Sequence, residues 1–131
     1  MNPTNEKYLY DNFNFLKPVT PENFNGSYLC IGDGWFEIFK ELCEKLRELD
    51  LGKFKVDMVQ SKYGQLRVYY DGRGIPDDKL ERFQKLLDEI KPKSASICMI
   101  CSNSGSFIKM GAWSGEGLTL CTTCATKNHM R

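Results

Sequence analysis

Residues 32–52 read GDGWFEIFKELCEKLRELDLG, and this stretch decides the fold class. Trp35, Phe39, Leu42, Leu46 and Leu49 recur at steps of four and three, and Phe36, Ile38 and Cys43 widen the stripe. Glu37, Lys40, Glu41, Glu44, Lys45 and Glu48 occupy the opposite face. That period predicts a helix that buries one side. Gly32, Asp33 and Gly34 mark its start, with Asp33 expected to accept the free amide hydrogens of the first turn. Leu51-Gly52 ends it. Downstream the period drops to two. Phe54, Val56 and Met58 alternate with Lys55, Asp57 and Val59, then Leu66, Val68 and Tyr70 with Arg67, Tyr69 and Asp71. Lys62-Tyr63-Gly64-Gln65 between them predicts a hairpin. Pro76-Asp77-Asp78 opens a second amphipathic helix with Leu80, Phe83, Leu87 and Ile90 inward, and Pro92 is expected to stop it. The class is therefore α+β: an antiparallel hairpin or sheet packed with two amphipathic helices over residues 30–92.

Residues 1–29 scatter aromatics among Asn and Pro without a sustained period. They predict an aromatic arm packed on the domain, with a short helix near residues 4–13, because so many rings gain by burial. Beyond a short linker at residues 91–96, the chain places Cys98 and Cys101 nineteen residues before Cys121 and Cys124. Two residues between cysteines let a tight turn aim both thiolates at one ion, and two such knuckles complete a tetrahedron of sulfurs. Residues 97–126 therefore predict a zinc-ribbon-like β-hairpin, with strands at 107–110 and 118–120. Four thiolates leave no open position, so the Zn2+ is expected to be structural. The only histidine, His129, reads as part of a tail, Cys43 as a small hydrophobe, and Cys30 has no base to activate it.

A hydrophobic fraction of 41% with 27% charged residues suits a soluble globular chain. No apolar run approaches a membrane span, and the first residues lack a secretory pattern, so the expected location is cytoplasmic. Net charge is +1, too low for a general attraction to nucleic acid. Lys91, Lys93, Lys109, Lys127 and Arg131 nevertheless face only Glu116 over residues 91–131. No nucleophile–base set is legible, so no enzyme activity is expected.

Three segments exceed the needs of a scaffold. Gly32-Asp33-Gly34-Trp35 offers glycine-flanked amides to an anion, against a plainer reading as a cap over a buried Trp35. Lys62, Arg67 and Tyr69 mark a strand face suited to a carboxylate, phosphate or stacked base, against Arg67 pairing with a neighbouring acid. Trp113 offers a stacking ring, against packing on the main domain. Together these motifs resemble a family of small tailed-phage and bacterial proteins with "CGDGW", "KFGGLRFY" and "CxxC…GGW…LCxxC" segments. The resemblance spans about residues 30–124, with Ile31 inserted after Cys30, Gln65 replacing one glycine and Ser102 replacing another. It implies a phage or mobile-element setting rather than a reaction. The leading expectation is a non-catalytic binding protein that sequesters a nucleotide immune signal or inhibits a host factor through Asp33, Trp35, Lys62, Arg67, Tyr69 and Trp113. The alternatives are a nucleic-acid-binding ribbon using Lys109, Trp113, Lys127 and Arg131, and an adapter for one host protein. A homo-oligomer is compatible with each.

Overall fold

The computed structural model describes residues 1–109 and 117–127. Helix α1 (Pro3–Asn12) is followed by strand β1 (Tyr28–Cys30), helix α2 (Phe36–Leu49), strands β2 (Lys55–Lys62) and β3 (Gln65–Asp71), and helix α3 (Leu80–Ser94). Strands β4 (Ser106–Lys109) and β5 (Gly117–Leu120) then precede the short helix α4 (Thr122–Lys127). The class is α+β, with the C-terminal strands paired antiparallel beside the cysteines. None of the described helices is long and apolar enough to cross a membrane.

The main sheet has the order β1-β2-β3, with β1 parallel to β2 and β2 antiparallel to β3. Only the hairpin was legible in the sequence. Strand β1 is three residues long, too short for any alternation to show. Alternation along β2 breaks at a bulge between Val56 and Met58. Val56 and Val59 are buried while Met58 turns to the opposite side, so the expected inward Met58 is corrected. An extra residue at a bulge flips every position after it.

Helix α2 buries Ile38, Phe39, Leu42, Cys43, Leu46 and Leu49, as its period requires. Helix α3 packs against β3 and α2, with Phe83 edge-on to both Phe54 and Tyr70. It runs through Pro92 to Ser94 rather than stopping before it. Proline forfeits one helical hydrogen bond, but the final turn has compensation. Buried Ser94 accepts the Leu66 amide hydrogen through Oγ (2.8 Å) and donates to the Lys91 carbonyl (2.9 Å). The N-terminal segment contributes Leu9, Phe13, Phe15 and Leu16 to the same hydrophobic cluster as α2 and the cysteines. Its helix begins on an Asn2 cap with Pro3 in the first turn.

Candidate functional site

Cys98, Cys101, Cys121 and Cys124 bring four Sγ atoms within 4.8 Å of one another. The Cys101 and Cys121 sulfurs are 3.5 Å apart. A tetrahedron with metal–sulfur bonds near 2.3 Å separates its sulfurs by ~3.8 Å, so the cluster has the dimensions of a metal centre. None of the six cysteines forms a disulfide. The first knuckle is turned by the Ser102 amide hydrogen bonding to the Cys98 carbonyl (3.0 Å). In the second, the Cys124 amide hydrogen points at the Cys121 sulfur (3.4 Å).

The thiols of the cluster differ in how readily they ionise. Burial opposes ionisation of Cys98, but backbone N–H groups of Cys121, Cys101 and Ile100 outweigh it and bring the thiol down to about 6. Burial and the hydrogen bonds of Cys121, Cys101 and Cys98 push Cys124 up to about 12. One thiolate forms readily in the cluster and a second is opposed, until a positive ion neutralises the group.

The GDGW segment serves this centre. The Gly34 amide hydrogen donates to the Met99 carbonyl inside the first knuckle (2.8 Å), and Ser102 Oγ donates to the Gly34 carbonyl (2.8 Å). A Cβ on Gly32 would collide with the Met99 carbonyl oxygen, and one on Gly34 with that of Cys98. The close approach these glycines permit is thus to the chain's own metal knuckle. Asp33 does not cap α2: Gly32 holds the cap position of a 3-10 turn, and no side chain caps it. The Asp33 carboxylate instead accepts from the Asn2 backbone (2.8 Å) and Asn5 Nδ2 (3.1 Å). These bonds hold its carboxyl below the ordinary carboxylate range. Trp35 is fully buried and its Nε1 donates to the Ile97 carbonyl (2.8 Å). It therefore presents no ring to a ligand.

Lys62, Arg67 and Tyr69 take a different position, on the side of the sheet away from α3. Register places Tyr28, Met58 and Tyr69 in one row and Cys30, Gln60 and Arg67 in the next. Tyr28, Cys30 and Tyr69 are exposed, while Met58, Gln60 and Arg67 are half-buried. Arg67 finds no carboxylate among the described residues; its Nη2 donates to Gln65 Oε1 (3.0 Å) and its guanidinium lies over Tyr63 (5.7 Å). Gln65, where the resembling family has glycine, thus orients Arg67.

The hairpin tip also touches the ribbon. Thr119 Oγ1 donates to the Gly64 carbonyl (2.6 Å), and a Cβ on Gly64 would meet the Phe107 ring and Thr119. Phe107 and Lys109, alternate residues of β4, face that junction. Trp113, His129 and Arg131 lie outside the described residues, and Lys127 ends α4 in an exposed position. The junction went unanticipated because Gly64 and Thr119 lie 55 residues apart. No family model matches the chain, and neither does any curated protein or solved structure.

Proposed function

We propose that the chain is a non-catalytic binding protein built on a zinc staple, and that it recognises an anionic nucleotide ligand on the outer face of its sheet. The observation that carries this reading is Arg67 beside Tyr63 and Tyr69, without an acidic partner among the described residues, on the sheet side opposite the one where Leu66 and Tyr70 meet α3. A guanidinium pairs with phosphate while neighbouring phenols stack on a base. Zinc is the proposed ion because a closed four-thiolate site matches its softness and geometry. The phage-type motifs favour counter-defence: sequestering a nucleotide immune signal, or inhibiting a host factor.

The test is a thermal-shift panel of cyclic and linear nucleotides. A ligand at a hundred times its Kd stabilises by ~2.7 kcal/mol, and Arg67→Ala abolishes the shift. A panel without a hit, on protein carrying one zinc per chain by elemental analysis, removes the nucleotide reading. Capture of a single host protein through the same face would then replace it.

A further inference from the structure

Tyr28 and Tyr69 share one row of the outer sheet face, Tyr63 sits at the hairpin tip, and exposed Phe24 and Phe107 adjoin Tyr28 and the tip. Phe24, Tyr28, Tyr63, Tyr69 and Phe107 are each at least 38% exposed. The Tyr28 hydroxyl donates to the Phe24 carbonyl (3.4 Å), and Tyr28 shares its row with Tyr69 across the sheet. Tyr63 forms the hairpin tip, and the Phe107 ring lies against Gly64 beside it. Cations interleave with the rings: Arg67 in the next row, Lys62 at the end of β2, and Lys109 two residues beyond Phe107. None of the three pairs with an acid among the described residues, while Asp57, the one acid within β2, is tied to Lys55. Tyr63 also keeps a left-handed backbone (φ 55°) at a turn position that favours Asn, Asp or Gly. A phenol retained there at a backbone cost is consistent with use of its ring.

We infer that this surface is a track for a single strand of nucleic acid, whose bases stack on the rings while Lys62, Arg67 and Lys109 meet its phosphates. The inference rests on reading the sheet face as a nucleotide site, and adds that the ligand is a polymer. Small-ligand sites are concave and enclose most of their guest. Tyr28 and Tyr69 share one row with Met58 between them, two strand spacings or about 9.6 Å apart, so separate rings meet separate bases. Stacking on aromatic platforms flanked by cations is how sequence-tolerant single-strand binders work. A duplex keeps its base faces inside and gains little here.

Fluorescence anisotropy on the full, metal-loaded chain tests this with three probes: an oligothymidylate of about 12 nucleotides, within the usual footprint of single-strand binders, a duplex of equal length, and labelled thymidine monophosphate. The strand should bind at least ~100-fold more tightly than the monophosphate, as joined contacts add, and more tightly than the duplex. The log–log salt slope should be about −2, because three cations contribute about −0.7 each. Tyr69→Ala should weaken binding roughly tenfold with an unchanged slope. Lys109→Ala should weaken it and flatten the slope by about 0.7. Both side chains are exposed, and unchanged melting temperatures verify that these variants fold. A strand that binds no better than the monophosphate overturns the track and leaves the nucleotide reading standing. Equal affinity for strand and duplex overturns it as well. If none of the probes binds, the track fails, and the panel of cyclic and linear nucleotides decides the nucleotide reading separately.

Discussion

Ser102 adopts the left-handed backbone conformation (φ 72°) that the turn after the first knuckle needs. Glycine meets that need without steric cost. Serine offsets the strain through its hydroxyl, which donates to the Gly34 carbonyl. Ser102→Gly should therefore be near neutral, within ~1 kcal/mol, whereas Ser102→Ala keeps the strain, loses the bond and should cost ~1–2 kcal/mol in urea unfolding. Gly34→Ala is a harsher change, because the backbone of Cys98, Met99 and Ile100 surrounds the new methyl group. It should cost about 2 kcal/mol or more, since backbone yields less than a flexible side chain, and it should speed loss of a bound metal ion to a chelator. Asp33 supplies a pH dependence. Its folded pKa is lowered, chiefly by the Asn2 amide, so its contribution is present above the unfolded value and lost as pH falls through the folded one. Protection of the Asn2 amide hydrogen, its exchange rate relative to the free chain at the same pH, should fall below pH ~4; unchanged protection would refute the link.

At the level of elements, the β2–β3 hairpin has two tasks. Tyr63 and Gly64, both at positive φ, form the two-residue turn that matches strand twist. The same tip receives Thr119 and Phe107 of the ribbon. Tyr63→Asn should stabilise the fold by ~0.5–1 kcal/mol, because Asn tolerates the left-handed region, while weakening any ligand that uses the ring. Opposite shifts in melting temperature and affinity are the signature to measure. The hairpin was legible because alternation and a glycine turn are local signals. The continuation of α3 past Pro92 was not, since its cause is Ser94 reaching the Leu66 amide hydrogen on another element. Ser94→Ala should cost ~1–3 kcal/mol, the penalty of a buried, unpaired N–H.

Across the whole molecule, the metal centre and the α+β core form one connected unit. Gly34 donates to Met99, Met99 donates to Thr119, and Thr119 donates to Gly64. Those bonds link the start of α2, the first knuckle, β5 and the hairpin. Cys98, Cys121 and Cys124 share a hydrophobic cluster with Trp35 and Phe39. Chelation should therefore lower the melting temperature of the entire chain in a single transition and expose the Trp35 indole N–H to exchange. A ribbon that melts separately while this N–H stays protected would contradict that unity. Metal affinity should rise with pH, because binding displaces thiol protons. Cys98 has lost its proton by neutral pH and Cys124 still holds one, so acidification through about pH 6 adds a proton to displace and weakens retention.

The residue spacing alone determined the clustering of the four cysteines, the buried stripe of α2, the hairpin and the α+β class, because each is written in short-range periods or pairs of residues. It could not determine what Gly32, Asp33, Gly34 and Trp35 are for. Glycine spacing announces that something comes close, and only the packed chain shows that it is the first metal knuckle. Nor could periodicity place Tyr28 in one row with Met58 and Tyr69 or set Phe107 against Gly64. Those neighbours are far apart in sequence and meet only through strand register and the docking of the ribbon. The tertiary structure thus took Trp35 and Asp33 out of the candidate binding residues and left Lys62, Arg67 and Tyr69 on one face of the sheet.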